Sequence, residues 1–114
     1  MKMRIHRAAM VVAAVAALVV FPLFSGLALA ADKHAAEALE HAKEAVAHGK
    51  QGHADVLVHH AEVALKHAGA AAKNPHVDEG IKHLKEAVEH GKAGHADVAT
   101  HHAEVAVTHL SEVK

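Results

Sequence analysis

The sequence is poor in the residues that most often build large cores and reactive sites. It has no cysteine, tryptophan or tyrosine, and only two phenylalanines, three methionines and two prolines among 114 residues. The lack of cysteine excludes disulfides and thiolate metal sites. Aromatic platforms and basic clusters are missing and the formal net charge is −1, which argues against nucleic acid as a partner.

The first thirty residues have the pattern of a secretory signal peptide. Three basic residues precede an unbroken apolar run at residues 8–21, and an Ala-x-Ala site follows at residues 28–30. We therefore predict a signal peptide at 1–30 and an exported, periplasmic domain at 31–114. An uncleaved membrane anchor is the alternative, because the apolar stretch is almost long enough to span a bilayer.

Signal cleavage would change the composition of what remains. Every methionine and phenylalanine lies in the first thirty residues, and the exported part keeps nine basic and thirteen acidic residues. The mature chain thus lacks both the thioethers of a Cu(I) site and the apolar rings of a membrane-surface helix. We expect no stable membrane association after cleavage.

Histidine is the residue in excess. Fourteen of the fifteen histidines fall in two copies of one pattern, at residues 34–67 and 76–109, and all keep their places under a shift of 42 residues. Most differences between the copies exchange small or apolar residues. Because histidine is the commonest protein metal ligand, the repeat favours metal binding.

The exported part is predicted to be all-α. We place its helices at residues 32–48, 53–72, 75–90 and 95–113. Asp32 and Asn74 are assigned as N-caps, and Gly49 and Gly91 as glycines just past helix ends. Short connections make neighbouring helices antiparallel, which predicts an up-down-up-down four-helix bundle of two duplicated hairpins. Gly80, inside the third helix, should cost up to about 1 kcal/mol relative to alanine.

Carboxylates accompany the histidines at helical spacing, so that imidazole and carboxylate on adjacent turns share one face and can bind one divalent cation. The candidate ligands of the first copy are His34, Glu37, His41, Glu44, His48, His53, Asp55, His59, His60, Glu62 and His67. Those of the second copy are His76, Glu79, His83, Glu86, His90, His95, Asp97, His101, His102, Glu104 and His109.

No two of these histidines are four residues apart, so a site of histidine alone must lie between helices. In an antiparallel hairpin, residues whose numbers have a constant sum lie opposite each other. This register predicts six pairs: His34–His67, His41–His60, His48–His53, His76–His109, His83–His102 and His90–His95. Successive pairs are about 10.5 Å apart along the helix, so we expect up to six separate sites, completed by carboxylates such as Glu37.

Imidazole suits copper, zinc, nickel and cobalt, and Cu²⁺ heads the divalent affinity series. We therefore expect Cu²⁺ chiefly, for buffering, sequestration or detoxification, with Zn²⁺, Ni²⁺ and Co²⁺ as alternatives in storage or delivery. Cleavage after Ala31 rather than Ala30 would add a terminal Asp32-Lys33-His34 site for Cu²⁺ or Ni²⁺.

Other classes of function have weaker support. Fourteen imidazoles could serve a pH-responsive interaction protein, which would respond to protons whether or not metal is present. The Glu-x-x-His of di-iron bundles and the His-Glu-x-x-His of metalloproteases are both absent, so we predict no enzyme, no catalytic residue and no organic cofactor.

The segments HAKEAVAHGK (41–50) and HLKEAVEHGK (83–92) resemble the small metal-binding protein (SmbP) family. The resemblance covers essentially all of the exported part, and the His-Gly-Lys-x-Gly-His turn is its most specific element. It implies a monomeric periplasmic four-helix bundle that binds several divalent or trivalent ions, chiefly copper, at the repeated histidines and neighbouring carboxylates.

Overall fold

The computed structural model describes residues 26–114, with side chains from Lys33 onward. Most of the predicted signal peptide lies outside the described residues. The described part forms four helices: α1 Gly26–Lys50, α2 Ala54–Ala70, α3 Pro75–Lys92 and α4 Ala96–Ser111. No strand occurs between residues 26 and 114. Over the same range, no helix combines the length and the apolar character needed to cross a bilayer.

The helices pack as two hairpins. α1 packs on α2 and α3 on α4, while α1–α4 and α2–α3 contacts join the hairpins and α2 touches α4 across the diagonal. The tight turns and this pattern of neighbours confirm the predicted bundle of duplicated hairpins.

In each of the two tight turns, the glycine that ends the helix is not the one that was predicted. Gly49 and Gly91 lie inside α1 and α3, and the chain reverses three residues later, at Gly52 (φ 83°) and Gly94 (φ 85°). In the first turn the amide of His53 donates to the His48 carbonyl at 3.0 Å and that of Gly52 to the Gly49 carbonyl at 2.9 Å. This is the Schellman arrangement, in which a glycine with positive φ ends the helix.

The helix starts also test the capping assignments. Asn74 caps α3 as predicted, because its side-chain oxygen accepts a hydrogen bond from the His76 amide at 2.7 Å and Pro75 follows. Asp32 does not cap α1, which already begins at Gly26. The preceding segment is rich in alanine and leucine, which propagate a helix, so no local signal stops α1 at Asp32.

The core is made mainly of alanine. Leu57 and Leu84 are its only large side chains that are fully buried among the described residues, and the small side chains around them let the helices approach closely. Gly80 of α3 is buried as well. A Cβ at that position would lie 2.9 Å from Leu110 Cγ, so the glycine accommodates Leu110 and is not simply a poor helix former.

Candidate metal centres along the histidine seams

The six predicted histidine pairs face each other across the two hairpins. Three of them bring Nδ1 atoms close together: 3.5 Å for His34–His67, 3.4 Å for His41–His60 and 3.3 Å for His83–His102. In the other three the ring centroids are 5.8 Å apart for His76–His109 and 6.3 Å apart for His48–His53 and His90–His95. The sum rule therefore placed the rings correctly.

The rings of neighbouring pairs also stack on one another, which the spacing along the helix axis did not predict. His41 stacks on His67 of the neighbouring pair, with centroids 5.6 Å apart and planes within 7°. His90 stacks on His102 in the same way, at 5.4 Å and 4°. Side chains lean toward the N-terminus of their own helix. In an antiparallel hairpin the two members of a pair thus lean in opposite directions, and each approaches a different neighbouring pair.

Each hairpin consequently carries a continuous row of six imidazoles, which we call a histidine seam. The first seam runs in the order His34, His67, His41, His60, His48, His53, and the second in the order His76, His109, His83, His102, His90, His95. Neighbouring rings within a seam have centroids 5.3–6.3 Å apart.

Carboxylates from α1 complete two groups of potential ligands on the first seam. The Glu44 carboxylate lies 3.3 Å from His60 Nδ1 and 3.6 Å from His41 Nδ1. Two turns away from this trio, Glu37 lies 3.3 Å from His67 Nδ1, beside His34. Each group offers two imidazole nitrogens and one carboxylate oxygen within 4.8 Å of one another.

The second seam repeats one of these groups and alters the other. Glu86 lies 3.3 Å from His102 Nδ1 and 3.9 Å from His83 Nδ1, which reproduces the Glu44 group. Glu79 joins His83 and His109, members of two different pairs. His83 therefore belongs to both groups of the second seam, whereas the first seam has no shared residue. The sequence could not predict this sharing, since it depends on how the side chains lean.

The donor distances fit a metal ion. Two ligands about 2.0–2.1 Å from a tetrahedral metal lie roughly 3.3 Å apart. The Nδ1–Nδ1 distances and the shorter nitrogen–oxygen distance of the Glu44 and Glu86 groups are close to this value, and the second nitrogen–oxygen distance is longer, at 3.6 and 3.9 Å. The imidazoles are half-buried, while the Glu44 side chain is 57% exposed. A bound ion would remain open to solvent on one side.

Burial also favours the ligating form of the histidines. Desolvation lowers the pKa of His60 below 6.5, although the Glu44 carboxylate acts in the opposite direction. Desolvation, together with the neighbouring His102, lowers the pKa of His83. Because only a neutral imidazole binds metal, both effects keep ligand nitrogens free near neutral pH.

Several predicted ligands are not gathered into groups with a carboxylate. Five of them lie in the seams without one: His48, His53, His76, His90 and His95. His48 Nδ1 is buried and has no hydrogen-bond partner. His59 and His101 lie outside the seams, where they are exposed and contact the edges of His60 and His102.

The acidic residues of α2 and α4 have other partners. Asp55 and Asp97 accept hydrogen bonds from the next backbone amide, at 2.9 and 2.8 Å. Glu62 pairs with Lys92, and Glu104 with Lys50, each at 3.2 Å across the hairpin interface. Their predicted role as ligands remains a prediction without support from this geometry.

An α-helical bundle whose surface carries repeated groups of imidazole and carboxylate has the features of a metal-binding protein. A family model described as "Small metal-binding protein" matches residues 8–113. The match covers most of the chain, which therefore belongs to the small metal-binding protein family, as its histidine repeats indicated. A search of curated proteins finds no match.

Proposed function

We propose that the chain is an exported protein that binds Cu²⁺ chiefly, at several sites along its histidine seams, and buffers, sequesters or detoxifies metal in the periplasm. Metal binding follows from the family and from the four groups of ligands. The observation that carries the proposal is the pairing of facing imidazoles with a carboxylate, repeated in both hairpins.

The preference for copper is supported by the kind of donors. Each group combines imidazole nitrogens with one oxygen, and Cu²⁺ binds such sets more tightly than other divalent first-row ions do. Zn²⁺, Ni²⁺ and Co²⁺ share the same donors and are the natural competitors. The geometry of the sites and the availability of each metal therefore decide which ion occupies the protein in the cell.

Storage or buffering suits these groups better than catalysis. Their carboxylates are exposed at Glu44 and Glu79 and half-buried at Glu37 and Glu86, so an ion can enter and leave without opening the bundle. We propose that the mature chain begins after Ala30, acts as a monomer and has no enzymatic activity. The signal-peptide pattern supports periplasmic export.

The test is a competition between Cu²⁺ and Zn²⁺ for metal-free protein at constant pH 7, with bound ions counted by native mass spectrometry. We expect several ions per chain, with copper displacing zinc. One ion or none would contradict the proposal, and zinc displacing copper would contradict the metal assigned.

A matched pair of variants tests whether metal binding depends on the seams or only on the number of histidines. Substituting His60→Ala and His102→Ala removes one member from each of two groups, whereas His59→Ala and His101→Ala remove two exposed neighbours that belong to no group. We expect only the first variant to lose ions. Equal losses from both variants would indicate nonspecific binding.

A pH-responsive function is the second candidate, and one observation favours it. Facing imidazoles such as His83 and His102, 3.3 Å apart, would repel each other if both were protonated. A conformational response to pH that is the same with and without metal would favour this function over metal buffering.

A further inference from the structure

The two seams use their equivalent carboxylates differently. In the first seam, Glu37 forms a group with His34 and His67 that shares no residue with the neighbouring group. In the second seam, Glu79 occupies the same position of the repeat but forms a group with His83, which also belongs to the neighbouring group. The second seam therefore has one imidazole that is common to two groups of ligands.

His83 lies between the two groups that it joins. Glu79 precedes it by one turn of α3 and Glu86 follows it by one turn, so both carboxylates share its face of the helix. Across the hairpin, His102 Nδ1 is 3.3 Å from His83 Nδ1, and the His109 ring stacks on the His83 ring with centroids 5.9 Å apart. A single ring is thus within reach of two sets of one carboxylate and one imidazole.

The His83 ring has two nitrogens, and each can bind one ion. Nδ1 belongs to the Glu86 group, where it lies 3.9 Å from the carboxylate. The lone pair of one nitrogen cannot bind two ions, so Nε2 is the His83 atom that is left for the Glu79 group. Side chains lean toward the N-terminus of their helix, which is the direction of Glu79. Both groups can therefore be filled at once only if the ring binds through both nitrogens.

We propose that the second seam holds two metal ions as a pair bridged by the His83 ring, with Nδ1 bound to the ion of the Glu86 group and Nε2 to the ion of the Glu79 group. This pair rests on the proposed function, since it requires that metal ions bind along the seams. With metal–nitrogen bonds of about 2.0–2.1 Å, the bridged ions are roughly 6 Å apart. The two groups of the first seam are seven residues apart along α1, or about 10.5 Å, and hold their ions separately.

Bridging requires the loss of one proton. A neutral imidazole has one nitrogen with a free lone pair and one nitrogen that carries a proton. As the second ion binds, the N–H bond breaks, a nitrogen–metal bond forms and the proton passes to solvent, and no electron is transferred. The charge of the first ion favours this loss, as a metal ion does for its bound water. The Glu79 and Glu86 carboxylates offset part of the positive charge that the two ions bring.

The first test loads the protein with Cu²⁺ at pH 7. Bound copper is counted by native mass spectrometry and unpaired spins by electron paramagnetic resonance. Copper ions bridged by imidazolate couple antiferromagnetically and lose spin intensity at low temperature, whereas separate ions keep it. We expect fewer spins than bound copper ions. Several bound ions with a full spin count would overturn the bridge alone, whereas one ion or none would overturn the proposed function with it.

Two equivalent substitutions locate the bridge. His109→Ala and His67→Ala each remove one group, in the second and the first seam respectively, and leave His83 in place. We expect both variants to bind one copper ion fewer than the unchanged protein, but only His109→Ala to show as many spins as copper ions. Equal spin deficits in the two variants would overturn the proposal. So would an unchanged copper count in His109→Ala, which would mean that the two groups of the second seam exclude each other.

The second test uses the unchanged chain and diamagnetic Zn²⁺ at pH 7. Nitrogen NMR of the histidine rings distinguishes a ring nitrogen that carries a proton from one that is bound to metal. At saturation we expect His83 to have no N–H at either ring nitrogen, while His41, its equivalent in the first seam, keeps one. A ring proton retained on His83 would overturn the proposal.

Discussion

His83 and His41 occupy the same position in the two repeats but differ in the number of candidate metal groups they join. His41 belongs to one group, with Glu44 and His60, whereas His83 belongs to two. Replacing His41 with alanine leaves three of the four groups complete, and replacing His83 leaves two. We therefore expect His83→Ala to weaken metal binding more than His41→Ala does.

The size of the difference follows from the loss of ligands. Removing even an outer-shell partner of a metal ligand typically costs about 10–100-fold in affinity, so the loss of one of three direct ligands should cost at least as much in each affected group. Titration with Cu²⁺ at pH 7, followed by native mass spectrometry and calorimetry, should show one weakened site in His41→Ala and a weakened second seam in His83→Ala.

Both substitutions remove half-buried side chains from helix surfaces, and alanine is a better helix former than histidine. We expect circular dichroism of the two metal-free variants to match that of the unchanged protein, which serves as the control for folding. Equal loss of ions from the two variants would refute the assignment of a shared ligand at His83.

Three further predictions concern stability. Gly80→Ala should stabilise the fold by about 1 kcal/mol through helix propensity but destabilise it by about 1–3 kcal/mol through overpacking against Leu110. In a Leu110→Ala background the overpacking is relieved, so urea unfolding should show a net gain in stability. Burial lowers the pKa of His60 and His83 below 6.5 in the folded protein. As pH falls, these histidines are therefore protonated in the unfolded chain before they are protonated in the folded one. The urea midpoint of the metal-free protein should therefore decrease from about pH 7.5 to pH 5.5, and an unchanged or higher midpoint would contradict this. Cu²⁺ at one hundred times the dissociation constant should stabilise the fold by about 2.7 kcal/mol for each independent site, and chelation should return the melting temperature to its metal-free value.

Local patterns in the sequence were sufficient to predict the helices and their pairing. The spacing of apolar residues, Asn74-Pro75 and the glycine-containing turns act over a few residues, and a tight turn transmits its register along the whole hairpin. The roles of Gly49, Gly80 and Gly91 could not be predicted in this way. Each accommodates a side chain from another helix, such as Thr100, and such contacts are decided only when the bundle packs.

The candidate site was predictable to the same extent. The facing histidine pairs follow from register, but the stacking between neighbouring pairs depends on the direction in which side chains lean, which spacing along the helix axis does not express. The sequence also did not show which carboxylates would pair with lysine and not with histidine. Glu62 and Glu104 follow a histidine at the same spacing as the carboxylates that join a candidate metal group. Each of them nevertheless pairs with a lysine of the other hairpin.

The proposed function depends on metal ions binding along the histidine seams. Imidazole nitrogen chemical shifts during titration with diamagnetic Zn²⁺ at pH 7 test it directly, because they report metal binding at each histidine. We predict that His41, His60 and His102 shift early, while the exposed His59 and His101 do not. Early shifts at the exposed histidines, or equal shifts at all of them, would contradict preferential binding along the seams.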